Sequence, residues 1–199
     1  MGGIDTVMAP LGGTPMVART AAAFQNCDAI AEIVIVTRPD LIRPISALCA
    51  GMDKVRAVVA GGGSRQESVW LGLNALSEDI QLAAIHDGAR PFLDVDDLER
   101  LKSNVEEYSC ALLAKKAVDT IKYVNDGFID KTIDREHIYY ALTPQGFKSE
   151  LIKEAYKSVD LVGITDDASI VEKCGYKVKV VECKSDNRKL TLKEDFNNL

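Results

Sequence analysis

Apolar residues along this chain fall into two alternating rhythms. Ile33-Val34-Ile35-Val36 is an unbroken β-branched run, the pattern of a strand covered on both faces. Leu82 to Ile85, Cys110 to Ala114 and Val178 to Val181 repeat it, and Val55 to Val59 does so more weakly. Between these runs Val95, Leu98, Leu101 and Val105 recur at the spacing of one helix face. Asp94, Asp96 and Asp97 stand at the start of that helix, where the macrodipole favours acids. Ser68 to Leu76 and Thr14 to Phe24 also read as helices, the second with Pro15 at its first position. Strands alternating with helices predict βαβ units and a mainly parallel α/β sheet.

One segment breaks the rhythm. Val118 to Val124 and Phe128 to Ile133 are strand-like and flank Asn125-Asp126-Gly127, a good hairpin turn. An isolated hairpin is marginal in water, and this one carries Ile121, Tyr123, Phe128, Ile129 and Ile133. We expect an arm, about residues 118–142, that packs on a second subunit; the alternative is an arm folded onto its own domain. No linker, repeat or low-complexity stretch interrupts residues 1–199, which predicts one domain bearing this arm.

Composition narrows the class. Of 199 residues, 47% are hydrophobic and 27% charged, as in globular proteins. A net charge of -6 argues against a nucleic-acid partner, which selects a basic face, yet leaves room for a small phosphorylated ligand held by local cations. The five cysteines (Cys27, Cys49, Cys110, Cys174 and Cys183) form no C-x-x-C pair, and only two histidines accompany them. That disfavours a zinc site and fits free thiols in a reducing cytoplasm. No apolar stretch approaches the ~20 residues of a membrane span, and no signal peptide is visible.

The candidate chemistry lies at strand ends. Leu82-Ala83-Ala84-Ile85 runs into His86-Asp87-Gly88-Ala89-Arg90-Pro91. In an open α/β sheet ligands bind just beyond the carboxyl ends of strands. There Asp87 suits a divalent cation or a ribose hydroxyl, Gly88 lets backbone approach a ligand, and Arg90 can fork onto a phosphate. The plainer reading is a solvated turn. Gly61-Gly62-Gly63-Ser64-Arg65-Gln66-Glu67-Ser68 joins a strand to a helix. Ser64 with Glu67 forms a capping box that needs no ligand; alternatively the bare backbone receives a base or sugar, with Arg65 and Ser68 on the rim. Lys122 and Arg135 read either as surface charges or, with Thr143, as a phosphate pocket. Thr165 or Asp166 caps a helix that starts near Ala168. Beyond the last strand, Asp186 and Lys189 repeat the acid-plus-base logic, and a Lys among phosphates neutralises charge in phosphoryl-type transfer.

In order, these stretches resemble the 2-C-methyl-D-erythritol 4-phosphate cytidylyltransferase family of the non-mevalonate isoprenoid pathway. The matching pieces are Gly61-Gly62 with Arg65 and Ser68-Val69, His86-Asp87-Gly88-Ala89-Arg90-Pro91, Asp119-Thr120, Asp134-Arg135, Ala141-Leu142-Thr143-Pro144-Gln145, Thr165-Asp166 with Ala168-Ser169, and Asp186-Asn187 with Lys189. The resemblance implies a Rossmann-like three-layer nucleotidyltransferase domain that dimerises through the arm. It implies transfer of a cytidyl group from CTP to a sugar-alcohol phosphate, with Mg²⁺ and release of pyrophosphate. By the match, Gly61, Gly62, Arg65, Ser68, Asp87 and Gly88 contact the nucleotide. Thr120, Arg135, Thr143, Asp87 and Arg90 bind the second substrate, with Thr120 and Arg135 crossing from the partner subunit. Lys189, Asp87 and Arg90 act in catalysis, and Asp87 holds the metal.

The chain also departs from the family pattern. The family opens with a strand and an Ala-Ala-Gly-x-Gly-x-Arg-Met loop, and Met1-Gly2-Gly3 aligns just after that Arg. Thr6 stands where the family carries a basic residue. Missing cations and amides around phosphates cost ~10²–10³ in rate per donor, so the chain as written is expected to be a poor catalyst with an exposed strand edge. Two other readings share these motifs: a ribitol-5-phosphate cytidylyltransferase, and a non-catalytic dimeric nucleotide-binding relative. Ala89 before Arg90 leans towards methylerythritol phosphate.

Overall fold

The computed structural model describes residues 6–191 and residue 195. A short ribbon, β1 (Pro10–Leu11) with β2 (Thr14–Pro15), feeds helix α1 (Met16–Gln25). Pro15 therefore sits at the N-cap of α1, one place before the position expected. Strand β3 (Ile33–Thr37), helix α2 (Ile42–Leu48), strand β4 (Val55–Ala60) and helix α3 (Arg65–Ala75) follow. Next come β5 (Leu82–Ile85), α4 (Val95–Tyr108), β6 (Cys110–Lys116), the hairpin strands β7 (Ile121–Asn125) and β8 (Phe128–Ile133), and β9 (Tyr139–Lys148). Helices α5 (Ser149–Ser158) and α6 (Asp167–Lys173) and strand β10 (Lys179–Glu182) complete the order.

The apolar runs found in the sequence are the strands β3, β4, β5, β6 and β10, displaced by a residue or two. The central sheet has the order β10-β6-β9-β5. β6 and β10 run parallel, whereas β9 runs antiparallel to both β5 and β6. β9 is the element the apolar pattern left out, because its sheet-forming residues include buried Thr143 and Gln145 rather than a hydrophobic run. A mixed α/β sheet results.

Helices cover this sheet on both faces. On one, Leu98, Leu101 and Val105 of α4 pack with Ala111, Leu113, Val181 and Phe24. On the other, Phe147 packs with Leu73 of α3, Ile152 and Ala155 of α5, and Ile170 and Val171 of α6. Phe147 is fully buried, and truncating such a side chain costs about 3–5 kcal/mol. Gly146 lies under α4, where a Cβ would come 2.6 Å from Val105 Cγ2.

Strands β3 and β4 pair in parallel as a separate two-stranded sheet. Among the described residues, no strand joins β3 to β5. A cavity of about 640 Å³ lies between them, lined by all of Ile33–Thr37 and all of Leu82–Ile85. Every residue of β3 is accordingly only half-buried, where the sequence pattern alone reads as a doubly covered strand.

The hairpin turns through Asp126 and Gly127, both at positive φ (47° and 82°), as a type I′ turn requires. Its strands project from the body, and Phe128 is 79% exposed and Ile129 64%.

Candidate active site

Strand β5 ends at His86 and Asp87, and everything around Asp87 is tied together. The Asp87 amide donates to Thr143 Oγ1 at 3.0 Å. The same hydroxyl lies 3.1 Å from His86 Nδ1, and His86 Nε2 lies 3.1 Å from the Arg90 carbonyl. A carbonyl only accepts, so Nε2 carries the proton and Nδ1 accepts from Thr143, an assignment made from the bonding pattern. Burial pushes the His86 pKa down to about 4, against weaker opposing contributions from the Arg90 carbonyl and Asp87. His86 is therefore neutral at pH 7 and acts as a strut between strand and turn.

The Asp87 carboxylate gathers cations. Lys189 Nζ lies 3.0 Å and Arg90 Nε 3.4 Å from Asp87 Oδ2. Burial alone would raise the Asp87 pKa, but Lys189, Arg90 and Arg65 outweigh it and hold the group below its ordinary value. Arg90 Nη1 donates to the Asn187 carbonyl at 2.9 Å. Thr20 on α1 donates to the Gly88 carbonyl at 2.9 Å. Perturbed charge gathered at a strand's carboxyl end marks a functional cluster.

The β4–α3 turn forms a second group. Ser64 Oγ accepts from the Glu67 amide at 3.0 Å, capping α3, and Glu67 Oε2 accepts from the Gly63 amide at 2.7 Å. Ser68 Oγ donates to the Ser64 carbonyl and accepts from the Gly62 amide. A Cβ on Gly61 would meet Ser68 Oγ at 2.7 Å, and one on Gly62 would meet Glu67 at 2.2 Å. A side chain at either position would have to displace Ser68 or Glu67 from the cap. Arg65 gives both guanidinium nitrogens to fully buried Asp167, at 3.2 and 2.6 Å. Tyr156 also donates to Asp167, at 2.6 Å. Asp166 caps α6 through the Ser169 amide at 3.1 Å.

The two groups meet at the cavity wall, which Arg65, Ser68, Asp87 and Gly88 share. The sequence-derived residues Asp87, Gly88, Arg90, Thr143 and Lys189 thus come together, and Gly61, Gly62, Arg65 and Ser68 stand at the same rim. Thr120 and Arg135 do not join them within this chain. Both are exposed near or on the arm, and Arg135 Nη1 donates to the Val118 carbonyl. Met1-Gly2-Gly3 lies outside the described residues. Thr6 opens a 3₁₀ turn whose Val7 comes near Gly88.

Two residues of the network were read in the sequence without these roles, Asp97 as a helix-dipole acid and Gln145 only as part of the matched Ala141–Gln145 stretch. Asp97 is instead wholly buried and accepts from the Lys184 and Ser185 amides and from Ser185 Oγ. Gln145 accepts from the Ala168 amide and donates to Asp166. Only their placement in three dimensions reveals these partners. No cluster of three or more His, Cys, Asp or Glu suited to a metal occurs among the described residues. The five cysteines are all free thiols, and no described helix is long and apolar enough to cross a membrane.

A mixed sheet between two helical layers with a carboxylate–cation cluster at one strand's end is the architecture of an α/β protein whose class the comparisons with known proteins define. Residues 3–198 match the family of 2-C-methyl-D-erythritol 4-phosphate cytidylyltransferase. The enzyme of that name from Geobacillus kaustophilus is 39% identical over 98% of this chain and 86% of its own length. That of Halalkalibacterium halodurans is 40% identical over 94% and 83%. Among solved structures, the 4-diphosphocytidyl-2C-methyl-D-erythritol synthase of Anaerococcus prevotii superposes with a TM-score of 0.90 at 29% identity, covering 96% of this chain and 90% of that one. The Francisella tularensis 2-C-methyl-D-erythritol 4-phosphate cytidylyltransferase gives 0.84 at 29% identity, covering 99% and 92%. The chain belongs to the 2-C-methyl-D-erythritol 4-phosphate cytidylyltransferase family.

Proposed function

We propose that this protein joins CTP to 2-C-methyl-D-erythritol 4-phosphate, giving 4-diphosphocytidyl-2-C-methylerythritol and pyrophosphate. A phosphate oxygen of the sugar-alcohol attacks the α-phosphorus of CTP, an O–P bond forms, and the bond to the β-phosphate oxygen breaks with pyrophosphate leaving. Such chemistry asks a protein for alignment and for neutralisation of charge rather than for a covalent intermediate. The observation that carries this reading is the contact of Lys189 with Asp87 at 3.0 Å, beside Arg90 and Thr143 at the end of β5.

Within it, Lys189 neutralises charge at the α-phosphate. Gly61, Gly62 and Ser68 present backbone and hydroxyl to the cytosine, and Arg65, held by Asp167, keeps positive charge at that rim. Arg90 and Thr143 orient the sugar-alcohol phosphate. Asp87 is the one carboxylate of the cluster; Mg²⁺ is commonly bound by one or two carboxylates plus substrate phosphates, so Asp87 fits as its protein ligand. When bound, that ion neutralises phosphate charge. Thr120 and Arg135 serve the partner's site in a homodimer, which the arm's exposed Phe128 and Ile129 support. Free thiols suit a cytoplasmic enzyme. We take residues 1–199 as one nucleotidyltransferase domain.

The test is pyrophosphate release from CTP with each of two acceptors, 2-C-methyl-D-erythritol 4-phosphate and ribitol 5-phosphate. Release with the first and not the second is expected. Release only with ribitol 5-phosphate, or with neither, overturns the reading. Light scattering at micromolar concentration should give a dimeric mass; a monomer contradicts the assigned role of the arm.

A further inference from the structure

Lys189 is a long side chain on a loop that follows β10, and it is nearly half exposed. Its own contacts do not explain why it stands at Asp87. The explanation lies two residues upstream. Asn187 is completely buried and has φ +39°, a left-handed conformation that Asn tolerates better than most side chains. Its Nδ2 donates to the Thr143 carbonyl at 2.8 Å, and its own carbonyl accepts from Arg90 Nη1 at 2.9 Å. Because the Thr143 carbonyl can only accept, the amide orientation is fixed and Oδ1 points the other way. That oxygen is buried without a hydrogen-bond partner. A buried unpaired acceptor is costly, so the residue is not at its most stable choice for packing alone.

The rest of the loop is pinned around this point. Asp97 accepts from the Lys184 and Ser185 amides at 3.1 and 2.9 Å. Lys115 donates to the Asp186 carbonyl at 2.7 Å, and the Leu190 amide donates to the Ala89 carbonyl at 2.9 Å. Asn187 is the residue at which the loop touches Thr143 of β9 and Arg90 of the β5 turn together. The kink at its positive φ sends the chain on so that Lys189 reaches Asp87.

We propose that Asn187 is a positioning residue that sets Lys189, Arg90 and Thr143 in one register. It touches no reacting atom. The inference rests on the catalytic reading above and adds to it a group to which that reading gives no role. Its consequence is specific: Asn187 acts through Lys189, so the two residues are not independent in turnover.

Three substitutions separate the parts. Asn187→Gly keeps the left-handed backbone and deletes the carboxamide, Asn187→Ala disfavours both, and Asn187→Asp places a carboxylate against the Thr143 carbonyl. We expect Asn187→Gly to lower kcat by about tenfold and to raise KM for the sugar phosphate, with KM for CTP within about twofold. Asn187→Ala and Asn187→Asp should be worse. Added to Lys189→Ala, Asn187→Gly should change kcat by less than about twofold, the non-additivity of residues that act as a unit. A full tenfold loss in that background overturns the proposal, because it marks a structural effect that does not pass through Lys189. A crystal structure of Asn187→Gly gives a readout that needs no turnover. Separation of Lys189 Nζ from Asp87 beyond the ion-pair distance is expected, and an unchanged contact overturns the proposal. Wild-type protein that releases no pyrophosphate would instead count against the catalytic reading, leaving the structural readout to judge Asn187.

Discussion

The two edges of β5 differ sharply. On one, Leu82 to Ile85 hydrogen-bond to β9 in continuous register, and the strand runs out into the Asp87–Arg90–Lys189 cluster. On the other, the strand faces β3 across a 640 Å³ apolar cavity. The charged half of the site gathers beyond this bonded edge, with Lys189 reaching it from the loop after β10. The Gly61–Ser68 turn follows the other sheet, and its hydrogen bonds to the larger body among the described residues run from Arg65 to Asp167 and from Gln66 to the Ile164 carbonyl. The Asp87 half thus starts from a backbone ladder to which side-chain ties from the loop after β10 are added, whereas the Gly61–Ser68 half is held to the larger body by side chains. Side-chain ties are the easier to break, and this difference is where experiments should press.

Cutting the tie should have the largest effect. Asp167→Asn removes the charge that fixes Arg65 and should cost about 2–3 kcal/mol, below the ~3–5 kcal/mol of a fully buried pair because Arg65 reaches solvent. KM for CTP should rise about tenfold while the sugar-phosphate KM holds, as measured by urea unfolding and steady-state kinetics. An equal rise in both would mean the two halves move as one body. The bonded half instead should respond to acid through His86. Its folded pKa of about 4 lies below the unfolded value of 6.5. Stability is then intact above pH 6.5 and is lost as pH falls towards 4, by about 2 kcal/mol between pH 7 and pH 5. Urea titrations at the two pH values should show this loss in the wild type and not in His86→Gln. A smaller contrast compares neighbouring alanines of β5. Both line the cavity, but Ala83 is buried and packs with the α3–α5 core, whereas Ala84 is exposed. Ala83→Leu should destabilise by about 1–3 kcal/mol. Ala84→Leu has room and should shift the urea midpoint by the equivalent of no more than about 1 kcal/mol, in either direction. Equal losses at both positions would show that the cavity closes in solution.

Much of this layout was legible in the chain itself. Five strands announce themselves as β-branched or small apolar runs, α4 by its 3.6-residue spacing, and the arm by Asn125-Asp126-Gly127. Strand β9 did not, since Thr143, Pro144, Gln145 and Gly146 carry no alternation; they are in the sheet because Gln145 and Thr143 satisfy partners from distant segments. The same reason hid Asp97 and Asp167. An acid in a first helical turn reads as a dipole complement, and only the fold shows these two turned inward with hydrogen-bonding partners. Asp87, Arg90 and Lys189 were readable as candidates because ligands of an open α/β sheet bind beyond strand ends, but a solvated turn was equally legible, and only the family resemblance singled them out together with Thr143. Arg65 was readable too, but its engagement by Asp167, 102 positions along the chain, was not. Thr120 and Arg135, expected in the site from the family resemblance, stand exposed on and beside the arm, apart from the cluster.

The most direct test compares kcat for pyrophosphate release from CTP and 2-C-methyl-D-erythritol 4-phosphate in the wild type and in Lys189→Ala. If Lys189 neutralises charge that develops in the transition state, kcat should fall by about 10²–10³ with KM for CTP changed no more than a few-fold. A Lys189→Ala protein that turns over as fast as the wild type would contradict the placement of catalysis at Asp87 and the end of β5.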